Sequence, residues 1–144
     1  MKKILKTFDY ENLLIKEYDH WYLLLRKKQV TLRSMILIEK DFKKKYGDIS
    51  LKSHVEFGLV VKEIEDALKS LFCYDKINYL MLMMVDPEVH YYVLPRYSKN
   101  VIFDKIKFID TGWPSLPDLN FVNDLKKDTE IKLINSIKFK ISQR

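Results

Sequence analysis

"DPEVHYYVLPRY", residues 86–97, alternates side chains around a single histidine. Successive strand side chains point to opposite faces, so Glu88, His90 and Tyr92 share one face and Val89, Tyr91 and Val93 the other. The apolar set belongs against a core. That leaves a carboxylate, an imidazole and a phenol in a row on the opposite side, neighbours about 6.5 to 7 Å apart. Immediately upstream, "INYLMLMM" at 77–84 reads as a strand, "DP" at 86–87 as a sharp turn, and 88–94 as a strand antiparallel to the first.

Further upstream, "LIKEY" at 14–18 and "WYLLL" at 21–25 are short runs of bulky residues separated by "DH", which predicts a tight hairpin. "SMILI" at 34–38 has the branching of a third, largely buried strand. From Ser50 the period changes. Phe57, Val60, Val61, Ile64, Leu68, Leu71 and Phe72 recur at helical spacing with Lys62, Glu63, Glu65 and Lys69 opposite them. This predicts an amphipathic helix of about 20 residues, capped by Ser50 or Ser53, ended by "CYDK" at 73–76, and weakened at Gly58, which would allow close packing on the sheet. "TEIKLINSIKFKI" at 129–141 predicts a second helix capped by Asp128 or Thr129. Strand, strand, strand, helix, strand, strand and a C-terminal helix make an α+β class: an antiparallel sheet of about five strands with one long helix across it.

The length of 144 residues suits one domain spanning 1–144, and the 47% apolar content excludes a disordered chain. All four prolines fall after residue 86, so the second half should be the more irregular. A net charge of +6 favours an anionic partner. The basic clusters at 26–28 and 43–45 read as solvated loops, and no nucleic-acid-binding module is evident, so a specific nucleic-acid partner is not expected. Cys73 is the single cysteine, which excludes an internal disulfide and a cysteine-cluster zinc site; it reads as a small apolar residue near the helix end. Asp9 and Glu11 interrupt the N-terminus before an apolar run can form, and "YLMLMMV" at 79–85 is too short to span a bilayer. A cytoplasmic protein without membrane association is expected.

The stretch at 86–97 resembles the histidine triad (HIT) motif, in which three histidines alternate with apolar residues and run on toward a proline and a basic residue. "WYLLLRKKQVTLRSMILIEK" at 21–40 is similar to the strand, loop and strand of that family's nucleotide pocket, and the likeness extends over residues 13–97, with "DTGWPSLP" at 110–117 similar to the tail of a bacterial branch. The resemblance implies a HIT-like fold, a nucleotide or related phosphorylated small molecule as ligand, and nucleophilic attack by His90 on an α-phosphate, so that one displacement is split into two. It implies a hydrolase or nucleotidyl transferase, and a homodimer joined at sheet edges. No cofactor and no metal are expected, since His20, His54 and His90 lack ligand spacing.

The flanks depart from the motif. Glu88 stands where the first triad histidine belongs and Tyr92 where the third does. Tyr92 can donate its hydroxyl to a phosphate, while the Glu88 carboxylate would repel one but could orient His90. Arg26 occupies a position that would otherwise hold a sugar diol, and its guanidinium suits a phosphate better. Arg33 replaces a glycine before the third strand and would add charge near the pocket. Arg96 would reach a phosphate from the strand exit. Glu88, Tyr92, Arg26 and Arg96 are therefore the expected substrate-binding residues around a catalytic His90. The alternative is a catalytically degenerate nucleotide- or anion-binding module without turnover. Catalysis requires the His90 ring to project into a solvent-reachable, positively lined hollow.

Overall fold

The near-continuous apolar runs at 21–25 and 34–38 suit strands covered on both faces. The computed structural model, which describes residues 1–71 and 74–142, has this arrangement. Strands β1 (Leu14–Glu17), β2 (Trp21–Leu25), β3 (Met35–Glu39), β4 (Lys76–Leu80) and β5 (His90–Arg96) form an antiparallel sheet in the order β1-β2-β3-β5-β4. The expected hairpin at Asp19 and His20 is present, closed by Tyr18 N–H donating to the Trp21 carbonyl at 2.8 Å. Both tip amides donate to the Glu56 carboxylate, at 3.2 and 2.6 Å, which fastens the turn to the long helix.

That helix, α3, spans Leu51–Lys69, and its first turn is capped by Ser50 Oγ accepting from Ser53 N at 3.1 Å. Val60, Ile64, Ala67 and Leu68 face the sheet and meet Leu23, Leu25, Met35, Leu37 and Val93 in the larger core. Helix α4 (Lys127–Ser142) adds Leu133, Ile134, Ile137 and Ile141 to the same core. It starts at Lys127, so Asp128 and Thr129 lie inside its first turn and neither is the flanking residue. Gly58 faces open space rather than the sheet, so it provides no close approach. Cys73 and Phe72 lie outside the described residues.

Other differences concern length and irregular regions. The strand expected at 77–84 stops at Leu80, because its last partner on β5 is Tyr92. Met84 and Val85 beyond it are 85% and 93% exposed. The strand expected from residue 88 begins at His90. A hairpin of β6 (Val101–Phe103) and β7 (Ile106–Phe108) follows in the half expected to be irregular. Its turn residues Asp104 and Lys105 both have positive φ, 51° and 65°, the geometry of a tight primed turn without the usual asparagine or glycine. Two short helices precede the sheet, α1 (Lys3–Thr7) and α2 (Tyr10–Leu13), joined at Asp9 in a left-handed conformation with φ 56°. Ile4 and Leu5 of α1 pack with Leu24, Ile36 and Ile38 in a second, smaller core on the sheet face opposite α3. No helix among the described residues is long and apolar enough to cross a membrane.

Candidate functional site

Parity along the strands decides which residues the second face receives. Odd-numbered residues of β2, β3 and β5 point to α3, as the Tyr91–Phe57 ring contact at 4.6 Å shows. Even-numbered residues point to α1, and among these are His90 and Tyr92. His90 opens β5 and pairs across the sheet with Ile38.

The imidazole is fixed by a backbone group. Its Nδ1 lies 2.7 Å from the Glu88 carbonyl oxygen, which can only accept, so Nδ1 donates and in the neutral ring Nε2 is the nitrogen with the lone pair. The role expected for the Glu88 carboxylate in orienting His90 is thus performed by the backbone of the same residue. Glu88 itself is half-buried and lies just before the strand.

The ring is sealed. His90 is 0% exposed, and Nε2 is buried without a hydrogen-bond partner. Phe8, at the end of α1, lies with its ring centroid 5.9 Å away, and the Tyr92 ring lies 5.6 Å away. Phe8 also meets Tyr92 edge-on at 6.5 Å. Surface hollows occur along residues 1–11, between Asp75 and Val101, and beside His20 and Leu51, and none is lined by Glu88, His90, Tyr92 or Arg26. With the ring fully buried, His90 Nε2 is not solvent-reachable in this conformation, as catalysis requires it to be. Leaving an acceptor buried and unsatisfied costs about 1–3 kcal/mol.

Arg26 closes the flank. Its guanidinium stacks 4.7 Å over the Tyr92 ring, and Nη1 donates to the Lys28 carbonyl at 3.0 Å. Its Nε is buried without a partner. Arg26, Tyr92 and His90 are consequently brought together as expected, with Glu88 contributing its carbonyl.

Arg96 is not part of this group, which corrects its expected role. Nε and Nη2 donate to the two Asp110 oxygens at 2.7 and 3.1 Å, and Nη1 donates to Asn78 Oδ1 at 2.8 Å. Both side chains of the ion pair are almost wholly buried, so the guanidinium charge is met by Asp110 inside the fold and is not presented to a phosphate. Arg33 also points elsewhere. It adopts the left-handed φ of 65° that favours glycine, and its guanidinium lies 5.1 Å over Phe103 and donates to Ser136 on α4 at 3.4 Å. Burial pushes it down to about 10. Among the described residues no group of three or more histidine, cysteine, aspartate or glutamate side chains could hold a metal ion.

Phe8 is the site residue absent from the sequence expectations. Ile4 and Phe8 are four apart, the spacing that places two side chains on one side of a helical turn, but the segment is too short for periodicity to stand out.

No family model matches the chain, and comparison with curated proteins gives no match. Solved structures do match. A histidine triad protein from Marinobacter aquaeolei superposes with a TM-score of 0.77 at 14% identity, covering 99% of this chain and 98% of that one. A histidine triad protein from Bradyrhizobium japonicum gives 0.74 at 17% identity, covering 98% and 96%. A diadenosine triphosphate hydrolase from Plasmodium falciparum, solved in complex with cyclomarin A, gives 0.66 at 14% identity, covering 93% and 79%. At these identities the likeness establishes the fold: the chain is HIT-like.

Proposed function

We propose that this chain is a HIT-like module that binds a nucleotide or related phosphorylated anion without turning it over. The observation that carries this reading is the His90 ring, fully buried beneath Phe8 with Nε2 unpartnered. A nucleophile must reach a phosphorus atom in line with its leaving group, and no approach to Nε2 exists in this arrangement. The replaced flanks support the same conclusion. A carboxylate and a phenol stand where protonated donors would neutralise a leaving group, and loss of a positioned acid typically costs about 10²- to 10⁴-fold. Arg26 supplies a permanent positive charge beside the site, and the excess of basic residues favours an anionic ligand. The reading treats residues 1–144 as one domain, and β1 and β4, the two sheet edges, as where a second copy would pair.

One observation favours a second reading, in which His90 acts as nucleophile of a hydrolase or nucleotidyl transferase. The Nδ1 bond to the Glu88 carbonyl leaves Nε2 as the basic nitrogen, the atom that would form the bond to an α-phosphorus as the leaving oxygen departs.

Thermal-shift titration and intact-mass analysis with nucleoside mono-, di- and triphosphates and dinucleoside polyphosphates separates the two. The first reading expects a raised melting temperature with at least one ligand, no phosphoramidate adduct and no product. Turnover abolished in His90→Ala would establish the second reading, and absence of any shift would remove nucleotide binding. Glu88→His with Tyr92→His tests the flanks: gain of turnover in the double variant would show that their replacement silenced the site.

A further inference from the structure

We infer that α1 is a hinged cover over a cryptic site, with Phe8 as its plug, His90 Nε2 as its floor and Arg26 as its wall. The inference deepens the binding reading above and rests on it for the nature of the ligand. The cover itself rests on independent observations. Two buried polar atoms lack partners, Nε2 of His90, an acceptor in the neutral ring, and the donor Nε of Arg26, and both residues contact the Tyr92 ring. Two such atoms beside one aromatic ring mark a place that a polar ligand would satisfy and that the closed state leaves unmet.

The segment that brings Phe8 against His90 is weakly held. Helix α1 has five residues and no side-chain cap at Lys2, and a helix this short has no stability of its own. Only Ile4 and Leu5 are buried along it. Phe8 is half-buried and follows the last helical residue. Asp9, next in the chain, has the left-handed φ of 56°, and beyond it Leu13 of α2 is buried in the larger core, so α2 is held while the chain before it turns away. A rotation at Phe8 and Asp9 would lift the Phe8 ring from His90 without disturbing the hydrogen bonds of β5. Segments with few buried contacts and short helices are those that open locally before the fold does.

The site so uncovered would take a small anion bearing a hydrogen-bond donor, such as a phosphate monoester in its singly protonated form. The ester's hydroxyl would donate to Nε2 and its charged oxygens would accept from Arg26.

Acylation of histidines by diethyl pyrocarbonate, read by peptide mass spectrometry, tests the cover without any nucleotide. His20 and His54 serve as internal references. In the native chain His90 should react at least about ten-fold more slowly than His54. In Phe8→Ala it should accelerate by about ten-fold or more while the references stay within about two-fold. Native His90 reacting as fast as His54, or remaining equally protected in Phe8→Ala, would overturn the cover. If all three histidines accelerate together, the variant has unfolded, and hydrogen exchange of the unmodified protein decides. The amides of Leu5, Lys6 and Phe8 should then exchange well before those of Val93 and Leu94, and comparable protection in the two sets overturns the inference. Exposure of His90 with no phosphate monoester binding to either form would preserve the cover and reject the binding reading, so the two fail separately.

Discussion

Beneath α3 and α4 the sheet meets a broad apolar layer of aliphatic and aromatic side chains, whereas its opposite face carries an imidazole, a phenol and a guanidinium beside a smaller apolar cluster. On the first face the buried polar groups near the helix start are paired. Trp21 Nε1 donates to the Ser53 carbonyl at 2.8 Å, and Ser53 Oγ donates to Glu39, which is 0% exposed, at 3.0 Å. On the second, His90 Nε2 and Arg26 Nε are not. The bonded polar groups named here thus lie on the first face and the two unpartnered atoms on the second, the face that carries the proposed ligand site.

The sharpest expected contrast is between the two buried arginines. Asp110→Ala strands the Arg96 charge and should lower the unfolding free energy by about 3–5 kcal/mol. Arg26→Met, which keeps the volume over Tyr92, should change it by no more than about 1 kcal/mol. Urea titrations give both values. Comparable losses would place Arg26 in the framework and erase the difference between the faces.

Next come the two apolar layers. Ile64→Ala on α3 should cost about 2–5 kcal/mol, since a packed core cannot collapse around the void. Ile4→Ala should fall at or below the bottom of that range, because the segment can yield or open; equal costs would show that α1 is as firmly integrated as α3.

Alkaline pH gives a smaller effect, concentrated on the first face. Burial, followed by the bonds to Glu63 and Glu65, raises the phenols of Tyr18 and Tyr79 above their ordinary 10.0; burial also raises Tyr97, and burial with the Tyr46 bond raises Tyr91. Groups raised on folding contribute stability that is present below pH 10 and lost as pH climbs past it. Arg33, lowered by burial to about 10, acts in the opposite sense, its penalty easing above that pH. Four phenols oppose one guanidinium, so the urea midpoint should hold to pH 10 and then fall. Tyr79→Phe should flatten the decline, and a midpoint that rises instead would reverse the assignment.

The smallest change is expected at the site. His90→Leu removes an unsatisfied acceptor along with one hydrogen bond, and the two nearly cancel, leaving a stability change within about 1 kcal/mol. A loss well above that would make the ring a structural element rather than a retained functional one.

The strands and α3 were legible because each announces itself by period. Residues 21–25 stand out as a short run of bulky apolar side chains, Glu88, His90 and Tyr92 alternate with Val89, Tyr91 and Val93, and Phe57, Val60, Ile64 and Leu68 repeat at helical spacing. The grouping of Arg26, His90 and Tyr92 followed from strand parity and the resemblance. What did not follow depends on partners distant in sequence. Arg96 becomes structural only because Asp110 folds back on it from the tail, and the β6–β7 hairpin turns on Asp104 and Lys105, of which Lys105 is a residue type that gives no turn signal. The contact of Phe8 with His90 was not legible either, because the two short helical turns around it carry too little pattern to be read.

The register between β4 and β5 has a practical consequence. Since Leu80 and Tyr92 form their final pair, the connection over 81–89 extends past the sheet, and Met84 and Val85 project into solvent. An epitope or fluorescent reporter grafted at these two positions would leave strand alignment intact while lying only a few residues from the imidazole, offering a local handle on its surroundings in a living cell.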